Sequence, residues 1–159
     1  MLVFRITQTK FASSLFAPGY AGRWNSENQK MIYTAGSASL SCLEVLAHKT
    51  GSALNSGKFS MAIIEVDNSV SIDEIKLTEL QKLNADWFKV LHYPITQKLG
   101  DQWLFDMQSA VLKVPSAIVD REYNYLLNPL HTDFAKIKVL DVTPFNFDTR
   151  LKMDVVGEN

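Results

Sequence analysis

The stretch that organises this chain is Gly22–Glu44, GRWNSENQKMIYTAGSASLSCLE. It sets Arg23, Trp24 and Asn25 side by side in a loop. A short apolar run, Met31 to Thr34, follows and reads as a strand that carries Tyr33. Ser37 then suits the N-cap of a helix reaching about Lys49, with Gly51 as its terminator. On that helix Leu40, Glu44, Ala47 and His48 share one face at i, i+4, i+7 and i+8. Leu43 and Leu46 lie nearer the other side. An acid among small and apolar neighbours is an odd choice for packing, because an unpaired buried carboxylate is costly. A cation, an aromatic ring and a semi-buried acid joined by strand, turn and helix suit a ligand that bears both phosphate and a ring.

Outward from this segment the chain reads as its scaffold. Upstream, Leu2 to Thr7 alternates, with Leu2, Phe4 and Ile6 on one side and Val3, Arg5 and Thr7 on the other. That is a half-buried strand with Arg5 opposite its apolar face. Phe11 to Phe16 suits a helical turn, and Pro18-Gly19 and Gly22 make a loop. Downstream, Phe59 to Val66 is apolar and β-branched, the mark of a central strand. Asp67 to Leu91 reads as turns and short pieces. After Pro94, Ile95, Leu99, Trp103 and Phe105 recur at helical spacing. Gly100-Asp101 interrupts them, which places the start of the main helix at Asp101. Ala110 to Ala117 is a strand broken by Pro115-Ser116, the signature of an edge or bulge. Tyr123 to Leu127, Ile137 to Val142 and Phe145 to Phe147 read as further strands, and Val155 to Asn159 as a frayed tail. Strands at both ends with helices between them predict an α+β fold rather than a βαβ series.

Length and composition narrow the function. The 159 residues suggest one domain over 1–159, able to bury roughly 70% of its unfolded surface. Sixteen basic residues against 17 acidic ones, a net charge of −1, disfavour a nucleic-acid surface. A single cysteine, Cys42, rules out an internal disulfide and suits a reducing compartment. The N-terminus shows no secretory pattern, and no apolar run reaches the roughly 18 residues a bilayer span needs. The expected location is the cytoplasm. The three histidines lie far apart, without metal-ligand spacing, so no metal is expected. There is no CxxC, HExxH, Walker-type or GxSxG motif, and Cys42 has no evident activating partner.

Taken one at a time, the candidates have ordinary readings. Arg23 and Arg5 suit salt bridges, Tyr33 suits a core or rim, and Ser116 after a proline suits backbone groups at a bulge. Trp24 and Trp103 read as packing residues.

Together they resemble a known pattern. FRI at Phe4–Ile6, GRWN at Gly22–Asn25, IYTA at Ile32–Ala35 and LE at Leu43-Glu44 come first. GDQWL at Gly100–Leu104, VPSA at Val114–Ala117, NYLLNPLH at Asn124–His131 and FNFDTRL at Phe145–Leu151 follow. In order and spacing this resembles the RES family, bacterial toxins of type II toxin–antitoxin pairs named for an Arg, a Glu and a Ser. The chain departs from the family at Ser26, after GRWN, where a glycine is common, and carries extra charges at Arg121-Glu122. The resemblance places the naming residues on Arg23, Glu44 and Ser116, with Tyr33 and Arg5 as further pocket residues. It implies a mixed, split β-core with flanking helices, similar to ADP-ribosyltransferase toxins. It implies an enzyme that takes NAD+ as substrate, without a separate cofactor, and arrests growth. The nicotinamide–ribose bond would be cleaved by hydrolysis or phosphorolysis. One alternative is ADP-ribose transfer to a protein, and another is a non-catalytic module that binds NAD+ or an antitoxin. The implied partners are an Xre-like antitoxin, which would carry the DNA binding, and a second copy of the chain in a homodimer. Trp87 and Phe145 are candidate antitoxin contacts if exposed, although core placement is the more ordinary reading of each.

Overall fold

The computed structural model describes residues 1–49, 54 and 57–151. Its elements run β1 (Leu2–Gln8), β2 (Ile32–Ala35), α1 (Ala38–His48), β3 (Phe59–Val66), β4 (Ile72–Glu74), α2 (Leu77–Leu83), α3 (Tyr93–Asp106), β5 (Val111–Pro115), β6 (Tyr123–Leu127) and β7 (Ile137–Phe145), with short 3₁₀ turns between them. The strands form one mixed sheet in the order β4-β5-β6-β2-β1-β3-β7. Only the β4–β5 pair is parallel. This is the expected α+β class. Gly51 and the Val155–Asn159 tail lie outside the described residues.

Both faces of the sheet are covered, which explains the continuous apolar runs. Neighbouring residues on one strand enter different clusters. Leu127 and Val111 pack with Val3, Ile32, Ile64 and Ile137, whereas Leu126 and Leu112 pack with Trp24, Leu80, Trp87 and Trp103. A third cluster joins Ile6 and Phe59 to Cys42, Val45 and Leu46 of α1. Trp24 and Trp103 are therefore packing residues, as expected. Trp87 is buried, and Phe145 packs edge-on against Phe147, which does the same against Phe59. Trp87 is thus a core residue, and Phe145 is half-buried against the third cluster.

The sheet is split between β1 and β2. These strands share one register pair, Phe4 opposite Ala35, although β1 runs in full register with β3 from Leu2 to Gln8. Beyond Phe4 the Ile6 amide donates to Ser41 Oγ of α1 at 2.8 Å rather than to a β2 carbonyl. A buried amide without a partner would be costly, so Ser41 makes the opening tolerable. The cleft described below lies in this split.

Several local expectations change. Val3, assigned with Arg5 to the polar side of β1, is fully buried, because that face meets the main core. α3 begins at Tyr93 and runs through Gly100 without a break. Pro94 sits in its first turn, where a missing N–H costs nothing. Gly100 is present for proximity: a Cβ there would lie 1.8 Å from the Trp24 carbonyl oxygen. Asp101 lies inside the helix rather than at its start, and it binds Ser26 across the helix–loop contact. β3 lies one strand from an edge rather than at the centre. Ile137 to Phe145 is one strand, with Pro144 tolerated because β7 is that edge. Pro115 is likewise tolerated, because β4 ends opposite Lys113 and leaves Pro115 paired on one side only.

Candidate functional site

The GRWN loop is held from two sides. Asn25 is buried, and its Nδ2 donates to the carbonyls of Tyr20, Ser26 and Gln29 at 2.9–3.1 Å. Its Oδ1 accepts from Tyr33 Oη at 2.6 Å, and the same hydroxyl accepts from Trp24 N at 3.0 Å. Gly22 has room for no side chain here, since a Cβ would lie 2.5 Å from Tyr33 Oη. From the other side, successive positions of α3 engage the loop. Gln97 Nε2 donates to Gly22 O at 2.9 Å and Thr96 Oγ1 to Arg23 O at 2.5 Å. Asp101 accepts from Ser26 N at 3.0 Å and Ser26 Oγ at 2.5 Å. Burial pushes the Tyr33 pKa well above its ordinary value, so its hydroxyl remains a donor at physiological pH.

This wiring aims Arg23 into a cleft of about 480 Å³ lined from the split strands, the loop and α1. Its guanidinium rests over the Tyr93 ring at 4.6 Å, with Trp87 at 5.9 Å and a 3.4 Å contact to Trp87 O. Arg5 lines the same cleft from β1. One Arg5 nitrogen, Nη2, reaches Phe16 O at 3.4 Å, while Nη1 is buried with no partner among the described residues. Burial lowers the Arg5 pKa from its ordinary value. Among the described residues neither arginine has a carboxylate partner. The ordinary salt-bridge reading of both therefore fails, and their charge faces the cleft.

Ser37 caps α1 by accepting from Leu40 N at 3.0 Å. The helix then presents Glu44 to the same cleft, 27% exposed, with Oε2 3.8 Å from His48 Nε2. Its Oε1 accepts a 2.6 Å hydrogen bond from Asn124 Nδ2 of β6. Four of the five candidate residues, Arg5, Arg23, Tyr33 and Glu44, thus surround one cavity.

Ser116 is placed differently. Its neighbours Pro115 and Ala117 line the cleft, but Ser116 itself is buried. Its hydroxyl accepts from Ile118 N and Val119 N at 3.0 and 3.1 Å. It caps the turn that leads back to β6. Cys42 lies outside the cleft lining, and burial raises its thiol pKa above the ordinary value.

The sequence alone assigned no role to Asn25, Tyr93 or Asn124. Asn124 left a signal, since asparagine is depleted in strands and here interrupts the aromatic and apolar run YNYLL. A larger, more open depression of about 700 Å³ lies over α3, between Ser26, Lys98, Phe105 and Leu130. It holds none of the candidate residues.

A match to the RES domain runs over residues 2–148. The chain belongs to the RES domain family. A protein named Toxin Res from Photorhabdus laumondii is 33% identical over 156 residues, 95% of this chain and 97% of that protein. Another Toxin Res, from Yersinia enterocolitica, is 34% identical over 157 residues, 96% of this chain and all of the relative. A Sphingobium protein named Prs ADP-ribosylating toxin is 31% identical over 130 residues, 82% of this chain and 80% of the relative. The fold is shared with a chain in the crystal structure of the M. tuberculosis MbcT–MbcA toxin–antitoxin complex. There the TM-score is 0.75 at 18% identity, over 91% of this chain and 84% of the other. In this RES domain Arg23 and Glu44 line the cleft directly, while Ser116 is buried between two residues of its rim.

Proposed function

We propose that this chain is the toxin of a type II toxin–antitoxin pair, and that it arrests growth by cleaving the nicotinamide–ribose bond of NAD+. The observation that carries the chemistry is the cleft itself, lined both by two arginines with no carboxylate partner among the described residues and by a carboxylate held by an amide. The Toxin Res relatives support the biological role.

The nicotinamide ring nitrogen is cationic in NAD+. When its bond to the ribose carbon breaks, the electron pair returns to the ring and nicotinamide leaves neutral, so no general acid is required. The ribose carbon becomes oxocarbenium-like, as in glycoside cleavage. Glu44 supplies a fixed negative charge beside it, which acts strongest in a cleft shielded from water. An oxygen of water or inorganic phosphate then bonds to that carbon, and water's proton passes to solvent. Arg5 and Arg23 hold the diphosphate, Arg23 through a planar fork that lysine cannot copy. Tyr33 offers only its ring, since its hydroxyl is committed to the loop. Ser116 acts by shaping the rim.

The decisive assay incubates purified protein with NAD+ and separates the products. Nicotinamide with ADP-ribose or ADP-ribose-1″-phosphate is expected from the parent, and only a small residual rate from Glu44→Ala. Parental turnover in Glu44→Ala would remove Glu44 from the mechanism. A second reading, ADP-ribose transfer to a protein, is favoured by the relative named an ADP-ribosylating toxin. Label from radioactive NAD+ on a protein, with no free ADP-ribose, would establish it instead. The cognate restraint is an Xre-like antitoxin, the toxin is a homodimer within that complex, and both act in the cytoplasm.

A further inference from the structure

We infer that Asn124 is a positioning residue for Glu44, holding the carboxylate where the positive charge develops. The inference rests on the proposed reaction but starts from geometry. Asn124 stands on β6 between two paired neighbours, Ala35 of β2 and Val114 of β5, so its backbone is fixed from both sides. Glu44 stands on a helix, with a flexible side chain that is partly exposed. The contact between them, Nδ2 to Oε1 at 2.6 Å, joins residues 80 positions apart. A rigid strand therefore determines the rotamer of a mobile acid, and strands give more exact placement than loops.

The amide orientation follows from chemistry. A carboxylate only accepts, so the nitrogen must face Glu44. That leaves Asn124 Oδ1 buried and without a partner among the described residues. A residue chosen for packing would avoid that cost, and a β-branched side chain would suit the strand better. The feature that repays the cost is the hydrogen bond to Glu44. His48, a further contact of Glu44, lies at 3.8 Å on the same helix and is largely exposed, so it fixes little. Ser116 donates nothing to Glu44, its oxygen being turned to Ile118 and Val119.

The test compares purified parent, Asn124→Ala, Asn124→Asp and Glu44→Ala/Asn124→Ala in NAD+ turnover. Asn124→Ala is expected to lower kcat on the order of 10- to 100-fold, with KM changed less than about threefold. Asn124→Asp keeps the shape and replaces the donor by a like charge, so it is expected to be at least as slow. It also decides the matter if the alanine variant does not fold. The double variant should be no slower than Glu44→Ala alone. Parental kcat in both single variants, or a further loss of the same factor in the double variant, would refute the positioning role. A parent that leaves NAD+ intact would defeat the proposed reaction instead. The positioning claim would then be decided by the crystal structure of Asn124→Ala: a displaced Glu44 carboxylate upholds it, and an unmoved one overturns it.

Discussion

Replacing Gly100 by alanine sets two opposing effects against each other. In an exposed helix interior the change stabilises by about 1 kcal/mol, through helix propensity. Gly100, however, faces the GRWN loop, where the new Cβ would lie 1.8 Å from Trp24 O and 2.9 Å from Trp24 C. To reach ordinary contact, helix and loop must part by about 1.6 Å, and both are backbone, so no side chain can yield. Overpacking of this kind costs about 1–3 kcal/mol, and backbone on both sides puts it at the upper end. The net loss is about 2 kcal/mol, which lowers Tm by about 4–8 °C for a chain of this size. Activity suffers further, because Thr96 and Gln97 tie the same helix to Arg23 O and Gly22 O. A displacement of about 1 Å at Arg23 would cost up to about 100-fold in turnover. Thermal melting and NAD+ consumption of the purified variant read both effects. A Gly100→Ala protein that melts at or above the parent with full turnover would refute the close-approach reasoning.

Arg23→Lys keeps a charge but loses the planar fork and the stacking on Tyr93; NAD+ consumption is expected to fall at least about tenfold, and full activity would remove the fork argument. Tyr33→Phe leaves Trp24 N and Asn25 Oδ1 without their shared partner; denaturant unfolding at pH 7 should show a loss of about 1–3 kcal/mol. Because burial raises the Tyr33 pKa, its contribution is complete below the ordinary tyrosine value of about 10 and is lost as pH rises further, toward the folded value. The stability gap between parent and Tyr33→Phe should therefore narrow above pH ~10, and a constant gap would contradict this. Ser41→Ala strands the buried Ile6 amide at the split, with an expected loss of about 1–3 kcal/mol in the same assay; an unchanged stability would mean that another group satisfies that amide.

Much of the fold was legible because its signals are local. Ser37 marked the start of α1 through a hydrogen bond three residues away. β3 and β6 matched their apolar runs to the residue, Phe59–Val66 and Tyr123–Leu127. The misreadings have long-range causes. Gly100 looked like a break, since its reason lies 76 residues earlier at the Trp24 carbonyl. Val3 looked polar-facing because alternation was taken to mean one solvated side, whereas both faces of this sheet are covered.

The candidate site divides in the same way. The sequence by itself determined which groups were available: two arginines, a tyrosine and an acid on a helix, in an order that resembles one family. It also determined the elements that carry them, because caps and periodicity act between near neighbours. Only the tertiary structure decided how they meet. It opened β1 from β2 and gave Ser41 to the buried amide left unpaired there, and it turned Ser116 toward its own loop. It also brought Asn124 across 80 residues to Glu44. Contacts of that kind depend on which strands lie side by side, and strand order is a property of the whole packed chain rather than of any segment.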